Sequence, residues 1–401
     1  MKIKINYKRI FLYLEVIAII YLSGGTRSAI TRGIDYYVMT FFMLAIASVY
    51  GGGTIKGKKD LKKLFIYMVF LAGFFVINLY IFPKTAMTLI YKEICFLIFV
   101  LFSKYIMQNN IDIMSYFYNV IIAIAWINFI LFLLIEILQL PIPYTEIYSI
   151  YNLGVYKNYF DVYMKTTGSI LYVGNLCIQR IAAFFWEPGI YAIYLNFALY
   201  YHVFQEKNKK QSKFVILLIN LVLTFSTTGL ILAISIFAIF IMKSKTISKR
   251  TKIVIMLPLC AITFAIALII VYYKKFDITT NSYKLRVNDL IVGLEIFREN
   301  IVFGTGFMNT DVFVYRQPGN RGNSNGLVTW MFTTGMFGVS IMLYPFVNRL
   351  MHTDKKFDYL VYLIAFLISN MTEPLYIYPF MIYIVAKEYS EWSFRYSYKE
   401  G

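Results

Sequence analysis

Apolar stretches recur along the chain and alternate with shorter polar connections. A membrane-spanning helix needs about 20 predominantly apolar residues, and several of these stretches reach that length. The pattern predicts about 12 transmembrane helices, and therefore an all-α polytopic membrane protein that forms a single integral membrane domain over residues 1–401. The predicted spans lie near residues 10–24, 36–51, 64–83, 86–106, 116–140, 189–204, 214–226, 228–242, 253–273, 326–347, 359–372 and 374–388.

The seventh and eighth spans are separated by a short polar interruption. Residues 214–242 are almost continuously apolar and are too long for one span. The segment TFSTTGL (224–230) places small polar residues and a glycine in the middle of this run, and such residues are typical of a turn. The sequence therefore predicts two spans joined by a tight hairpin.

Lysine and arginine are concentrated in every second connection of this arrangement. The clusters lie at residues 56–63, 207–213, 243–252 and 349–356, whereas the short connections on the opposite side carry few positive charges. Positive residues accumulate on the cytoplasmic side of membrane proteins, so we predict that both termini are cytoplasmic. Fusing the seventh and eighth spans into one would place the later clusters outside.

The composition agrees with a membrane protein and restricts the class of partner. Hydrophobic residues make up 59% of the chain and charged residues 15%, which is too apolar for a soluble fold. The net charge of +18 is accounted for by cytoplasmic connections, so we expect no nucleic-acid partner. The three cysteines and two histidines are scattered along the chain, and we expect neither a disulfide nor a metal site.

Two connections, residues 141–188 and 274–325, are much longer than the rest, and both are predicted to be extracytoplasmic. In the second, residues 282–300 place their apolar side chains on one helical face. This predicts a helix on the outer membrane surface, with Arg286 at the border of that face. Glu136, at the outer end of the fifth span, is predicted to lie at the membrane interface. The apolar residues of the helix are Val287, Leu290, Ile291, Leu294 and Phe297.

The segment QRIAAFFWEPGIYA (179–192) leads from the first long connection into the sixth span. Pro188 suits the first turn of a helix, where its missing N–H is not needed, and Glu187 then lies at the positive end of the helix dipole. That placement is enough to explain Glu187, and a role in chemistry is an equally good interpretation. The same Glu-Pro pair recurs at residues 373–374, before the last span.

Arg180 lies in an otherwise apolar segment at the predicted membrane border, where an arginine needs an anionic partner. That partner is either Glu187, in a structural role, or a lipid phosphate. A second arginine in the other long connection, Arg286, favours the phosphate, because two planar guanidinium groups can grip a pyrophosphate from two sides. For Arg286 the alternative is contact with ordinary lipid headgroups.

Two glycine-containing stretches follow the predicted surface helix. In FGTGF (303–307), Gly304 and Gly306 allow a tight turn or the close approach of a ligand. The stretch RQPGNRGNSNG (316–326) includes Arg316 and Arg321 and leads directly into the tenth span. It is suited either to binding sugar hydroxyls or to forming a solvated turn, and the sequence leaves both interpretations open.

Taken together, these motifs resemble the Wzy-type polysaccharide polymerases of the O-antigen polymerase and ligase superfamily. The resemblance rests on the two long connections with their arginines, on RIAAFFWEPGIYA (180–192), and on STTG, FGTGF and NSNGLVTWMFTTGMFG in the family's order. It implies a fold like that of the GT-C glycosyltransferases, and a location in the bacterial plasma membrane. It also implies a donor linked to undecaprenyl diphosphate, which Arg180 and Arg286 would hold beside Glu187 in the active site.

One departure from the family pattern concerns the general base. The ligases, and some polymerases, have a His-Asn pair where this chain has Ser324 and Asn325, so no histidine is available there. Glu187 is the first candidate for the base and Asp311 the second. Arg316, Arg321 and Asn325 are further candidates for binding the diphosphate or the glycan.

The resemblance implies a glycosyltransferase that polymerises lipid-linked repeat units into a capsule, O-antigen or exopolysaccharide on the outer leaflet. We expect it to need no metal and no cofactor, because the diphosphate is already a good leaving group. Its expected partners are the lipid-linked oligosaccharide, membrane lipid, and the flippase and chain-length regulator of the same pathway. The alternatives are a flippase for lipid-linked oligosaccharides and a ligase-type transferase.

Overall fold

The computed structural model is mostly helical, and its described elements divide into two compact units. Each unit is described below by itself. The described residues are 7–23, 69, 73, 76, 111–148, 155–166, 169–173, 176–244, 248, 250–254, 282–307, 309–317, 322–372, 375 and 378–398.

Helices of the first unit pack around one central helix. They are α1 (Tyr7–Leu22), α2 (Ile113–Phe132), α3 (Pro188–Phe204), α4 (Gln211–Leu223) and α5 (Thr227–Lys243). Helix α3 is buried along nearly its whole length, because α2, α4 and α5 pack around it. Gly229 lets α5 approach α3 closely, since a side chain at that position would collide with Ala192. Asn196 of α3 reinforces this approach by donating a hydrogen bond from Nδ2 to the Gly229 carbonyl at 2.9 Å.

Helices of the second unit are α6 (Ser282–Glu299), α7 (Asp311–Tyr315), α8 (Gly326–His352), α9 (Lys356–Thr372) and α10 (Pro379–Tyr398). The first half of α8 packs on α6 through a buried apolar cluster that includes Ile296 and Phe332. Near the other end of α8, Nη1 of Arg349 lies 2.8 Å from both carboxylate oxygens of buried Glu388. Tyr359 donates a third hydrogen bond to this carboxylate at 2.6 Å, so one ionic cluster joins α8, α9 and α10.

Two described helices are long and apolar enough to cross a membrane, namely residues Ile113–Ile137 and Gly326–His352. The first of these is α2 continued by a π-helical turn, Leu133–Ile137. Shorter or less apolar helices cover most of the remaining predicted spans within the described residues. The total of 12 spans and their orientation stay predictions. The predicted spans that lie outside the described residues, apart from isolated positions, are those near 36–51, 64–83, 86–106 and 253–273.

The hairpin predicted within residues 214–242 is confirmed, because α4 ends at Leu223 and α5 begins at Thr227. The chain turns at Phe225, whose φ of 44° is unusual for a residue with a side chain. Ser226 then caps α5, since its Oγ accepts a hydrogen bond from the Gly229 N–H at 3.2 Å. The small polar residues of TFSTTGL (224–230) therefore end one helix, at Thr224, and start the next, at Ser226.

The first long connection contains β-strands, so the prediction of an entirely helical protein is wrong for this segment. Strand β2 shows the reason, because Tyr156 and Asn158 are buried while Val155 and Lys157 are exposed, which is the two-residue period of a strand. The strands are β1 (Thr145–Tyr148), β2 (Val155–Tyr159) and β3 (Tyr163–Thr166) in one antiparallel sheet, and β4 (Ile170–Val173) and β5 (Leu176–Gln179) in a separate hairpin.

Glu136 joins the three-stranded sheet to the end of α2. Its carboxylate lies 2.8 Å from Nζ of Lys165 and accepts a longer hydrogen bond, 3.4 Å, from the Tyr163 hydroxyl. Both partners belong to β3, so this ion pair holds the sheet at the end of a candidate membrane span. The predicted interfacial position of Glu136 stays a prediction, and these contacts supply its structural role.

Candidate functional site

The backbone around Arg180 is held between the β4–β5 hairpin and the end of α4. The Arg180 N–H donates to the Ser169 carbonyl at 2.9 Å, and the next residue, Ile181, donates to the Leu223 carbonyl at 3.0 Å. Two residues further on, Ala183 adopts a φ of 53° and its carbonyl accepts from Met164 of β3. The segment that carries Arg180 is therefore fixed by backbone hydrogen bonds on both sides.

The guanidinium group of Arg180 is fixed by one of its three nitrogens. Nε donates a hydrogen bond to the Thr224 carbonyl at 2.9 Å, at the turn between α4 and α5. Among the residues that the structure describes, the two terminal nitrogens make no hydrogen bond or ion pair. Burial lowers the pKa of Arg180, and the nearby Glu187 carboxylate opposes that shift. Arginine nevertheless stays protonated at neutral pH, so the site presents a fixed, partly buried cation with its planar fork still available.

Glu187 lies where the sequence predicts, immediately before the first turn of α3. Its backbone is extended (φ −145°, ψ 142°), its carbonyl accepts the first hydrogen bond of the helix from Ile190, and Pro188 is the first helical residue. The side chain does not cap the helix, because it accepts no hydrogen bond from the first-turn N–H groups. Instead Oε1 lies 3.7 Å from the point where a side chain on Gly189 would begin. The carboxylate is thus placed over the helix N-terminus and near Arg180.

The N-terminus of α5 lies beside the N-terminus of α3. A Cβ atom added to Gly189 would lie 3.7 Å from Oε1 of Glu187 and 4.0 Å from Oγ of Ser226, the residue that caps α5. Each helix N-terminus carries a partial positive charge, and the helices converge close to the turn that anchors Arg180. The first unit therefore concentrates positive potential at one place, which suits an anionic oxygen-rich ligand.

Tyr156 is a neighbour of this site that the sequence analysis missed. Its hydroxyl donates a hydrogen bond of 3.5 Å to the carbonyl of Trp186, the residue before Glu187. Burial, with a smaller contribution from the Glu187 charge, raises the pKa of Tyr156 to about 12. Nothing in its sequence context distinguishes it, because tyrosines are abundant throughout the first long connection.

The helix predicted over residues 282–300 is present as α6, and its predicted apolar face is largely exposed, while its place on the outer membrane surface stays a prediction. Val287, Leu290 and Ile291 are 37%, 38% and 51% exposed, as expected of a helix that rests on a membrane surface. Arg286 is also exposed and makes no hydrogen bond or ion pair with any residue in the described part of the chain. Its guanidinium is therefore accessible to a ligand.

The buried face of α6 carries a carboxylate, Asp289, which the sequence analysis did not select. Asp289 is 0% exposed, and its Oδ2 accepts hydrogen bonds from Ser324 N–H at 3.0 Å and Ser324 Oγ at 2.6 Å. Asn323 donates to the Asp289 carbonyl at 3.1 Å. Asn325 then caps α8, accepting from the Val328 N–H at 3.1 Å. The Asn-rich stretch is therefore folded onto α6 and has structural partners of its own.

The FGTGF turn fills a break in α8. Gly335 has φ 65° and ψ −170°, which interrupts the helix, and the carbonyls of Phe332 and Thr333 are bonded instead by the N–H groups of Thr305 (2.8 Å) and Gly306 (3.0 Å). In return, the Met336 N–H donates to the Ile301 carbonyl at 2.7 Å. Of the two alternatives that the glycines left open, the structure shows the tight turn, which packs closely against another part of the chain, and the approach of a ligand stays a prediction. The break itself was not predicted.

Residues 213–343 match the model of a protein family described as O-antigen ligase. This region contains Arg286, the FGTGF turn, and the Ser324-Asn325 pair at the start of α8. The match covers less than half of the chain and supports membership of the O-antigen polymerase and ligase superfamily. No curated protein matches the chain.

Together with the apolar helices, this match supports a membrane protein with a role in the assembly of polysaccharides or glycoconjugates, in which members of the family act as transferases. Arg180 and Glu187 precede the matched residues, so their role depends on the geometry of the first unit. Arg286 and Asn325 lie within the match and in the second unit.

The remaining site residues predicted from the sequence, Arg316, Asp311 and Arg321, differ in their surroundings. Arg316 is exposed and forms a bidentate ion pair with Glu299, with N–O distances of 2.9 and 2.6 Å. These hydrogen bonds raise the pKa of Arg316 and lower the pKa of Glu299. Asp311 is exposed at the first position of α7. Arg321 lies outside the described residues, and the roles of all three candidates stay predictions.

Proposed function

We propose that the chain is a polysaccharide polymerase that transfers a growing glycan from undecaprenyl diphosphate to the next lipid-linked repeat unit. The observation that carries this proposal is the fixed guanidinium of Arg180, which lies beside two helix N-termini and whose two terminal nitrogens make no hydrogen bond to any residue in the described ranges. A diphosphate is the ligand that this arrangement suits best, because arginine binds phosphate oxygens in pairs and helix N-termini favour anions.

The chemistry of the transfer requires stabilisation of the leaving group. When the bond between the anomeric carbon and the phosphate oxygen breaks, negative charge accumulates on the diphosphate. Preorganised donors aimed at that charge lower the barrier without reorganising during the reaction. Arg180 meets this requirement, because its backbone and Nε are already held by the Ser169 and Thr224 carbonyls. Glu187 contributes a charge partner that orients this cation, and it is the first candidate from the sequence to accept the acceptor's proton.

Arg286 is proposed as the second diphosphate-binding arginine. It is exposed on α6 next to an apolar face, where it can reach phosphate at the headgroup level. The idea that Arg180 and Arg286 act on one diphosphate rests on the sequence. Arg316, Arg321 and Asn325 are proposed to contact the glycan, with Arg316 exchanging its exposed partner Glu299 for the ligand.

The reaction is proposed to take place on the outer leaflet of the bacterial plasma membrane, with both termini in the cytoplasm. The distribution of lysine and arginine supports this orientation. A flippase that supplies the lipid-linked unit and a chain-length regulator are the proposed partners in the same pathway.

The decisive experiment uses purified full-length protein and a synthetic undecaprenyl-diphosphate-linked repeat unit in detergent. A polymerase produces a ladder of lengthening glycans and releases undecaprenyl diphosphate. Because detergent micelles have no leaflets, a protein that only transports the lipid-linked unit leaves it unchanged. In cells, loss of the protein is expected to leave lipid-linked single repeat units and no long polymer.

A ligase is the second candidate, because the matching family model is described as O-antigen ligase. A ligase transfers the glycan to a different lipid acceptor. In the same assay it leaves a donor-only reaction without a ladder and forms product only when that acceptor is added. The presence of a ladder from the donor alone therefore separates the two activities.

A further inference from the structure

We infer that Ser324 and Asp289 form a proton relay that accepts the proton of the acceptor sugar's hydroxyl, with Ser324 in contact with the sugar and Asp289 behind it. This inference rests on the proposed transferase function. It assigns the general base to neither of the two candidates that the sequence favoured.

The geometry of the pair supports a relay. Ser324 is only partly buried, so its hydroxyl can meet a substrate, whereas Asp289 is 0% exposed and can reach a substrate only through another group. The distance between Ser324 Oγ and Asp289 Oδ2 is 2.6 Å, which is short for a hydrogen bond between oxygen atoms. The Ser324 N–H also donates to Oδ2 at 3.0 Å, so the carboxylate is oriented towards this serine.

The pair also lies close to the arginine proposed to bind phosphate. Asp289 follows Arg286 by three residues on α6, and residues at that spacing lie one turn apart on neighbouring faces of a helix. Asn325, the residue after Ser324, caps α8 and fixes the backbone at this point. The hydroxyl, the carboxylate and the arginine thus belong to one rigid part of the second unit, in which α6 packs on α8.

The step balances without any other reactant. The acceptor hydroxyl oxygen forms a bond to the anomeric carbon of the donor, and the bond from that carbon to the diphosphate breaks, with the electron pair leaving on the diphosphate. The acceptor's proton passes to Ser324 Oγ while the Ser324 proton passes to Asp289 Oδ2. Asp289 becomes a neutral carboxylic acid and later returns its proton to water through the same hydroxyl.

The other carboxylates are less suited to this role. Glu187 interacts electrostatically with the Arg180 cation and lies above the N-terminus of α3, so we assign it to the side of the reaction where the diphosphate leaves. Asp311 is exposed at the start of a five-residue helix, where no neighbouring hydroxyl is seen to direct it towards a sugar. Among the residues that the structure describes, the Ser324–Asp289 pair combines a buried carboxylate with a partly exposed hydroxyl in direct contact.

The first test compares three single variants and one double variant in the purified polymerisation assay. Asp289→Asn keeps an oxygen that accepts both Ser324 hydrogen bonds but cannot take a proton. Ser324→Ala removes the relay and keeps its N–H donor, and Ser324→Thr restores the hydroxyl. We expect the first two to lower the rate by a factor on the order of 100 and Ser324→Thr to stay within a few-fold of the wild type. The Asp289→Asn/Ser324→Ala double variant should be no slower than either single one, because both interrupt the same relay.

The pH profile separates a proton acceptor from a structural tether. The wild-type rate should fall on acidification, and the residual rate of Asp289→Asn should lack that decline. Glu295→Gln is the matched control, because Glu295 is exposed on the same helix; its rate and profile should match the wild type. Thermal unfolding in detergent confirms that each variant is folded.

Two failures have different meanings. If the wild-type protein makes no polymer and no ligation product, the proposed function is wrong. If the wild type is active and Asp289→Asn retains its rate, or loses rate while keeping the acidic decline, the relay is wrong and the proposed function stands. An acidic decline that disappears in Glu187→Gln instead would assign the base to Glu187.

Discussion

Replacing Arg180 by lysine tests the proposed diphosphate site most directly, because it preserves the charge and removes the geometry. In the wild type, Nε of Arg180 holds the Thr224 carbonyl while two further nitrogens remain for the ligand. Lysine has a single nitrogen, which cannot bond this carbonyl and also bind two phosphate oxygens in one plane. The variant must lose either its anchor or its bidentate contact.

The structure sets the expected size of this loss. A hydrogen bond to a charged group contributes about 1.5–3 kcal/mol. If Arg180 contacts the diphosphate more strongly in the transition state than in the ground state, losing one such bond slows the reaction about 10- to 150-fold. The effect should appear in kcat, with little change in protein level, because the positive charge is kept.

The assay is the rate of polymer formation by the purified protein with the lipid-linked repeat unit. Arg298→Lys is the matched control, since Arg298 is an exposed arginine in the last turn of α6 and has no proposed role in the site. Its rate should be unchanged. A wild-type rate for Arg180→Lys would refute the view that the guanidinium geometry matters, and a wild-type rate for Arg180→Ala would remove Arg180 from the site.

Three further predictions test the surroundings of the site. Glu187→Gln should slow polymerisation severely. Glu373→Gln changes the second Glu-Pro pair, which lies outside the described residues, and should lose only about 0.3–1 kcal/mol of stability. Equal, mild effects of the two variants on rate and stability would show that Glu187 is only a charge at a helix terminus. Gly335→Ala should destabilise the protein by about 1–3 kcal/mol from backbone strain alone. The loss should be larger than that, because the new methyl group would also collide with the Val302 backbone. Gly322→Ala is the control and should unfold at the wild-type temperature, because a methyl group there would meet no atom within 4 Å. Cysteine labelling should find residues 243–252 in the cytoplasm, and external labelling there would overturn the twelve-span arrangement.

The helices were predictable where the apolar periodicity of the sequence agrees with residues that typically start or end a helix. The start of α3 follows from Pro188, the turn after Leu223 follows from the STTG segment, and α6 follows from its apolar face. In each case the signal lies within a few neighbouring residues, so local preferences are sufficient. The polar tip of the hairpin did not reveal, however, that the Thr224 carbonyl holds Arg180, because those residues are 44 positions apart.

The features that escaped prediction depend on contacts between distant segments. Strand β2 is only five residues long, and its alternation between buried and exposed residues becomes clear only when β1 and β3 flank it. A single aspartate on an amphipathic helix resembles a solvated residue, and what distinguishes Asp289 is its contact with Ser324, 35 positions later. In a single sequence, neither Asp289 nor Ser324 indicates that the other is its hydrogen-bond partner.

The exchange of hydrogen bonds at the break in α8 has a consequence for engineering. Residues 301–306 and 332–337 each satisfy backbone groups that the other segment would leave exposed, and such groups are costly in an apolar environment. If a chimera takes only one of these two segments from a relative in which the helix is interrupted differently, backbone N–H and C=O groups of both segments lose their hydrogen-bond partners. Chimeras should therefore exchange residues 301–306 and 332–337 together, as one unit.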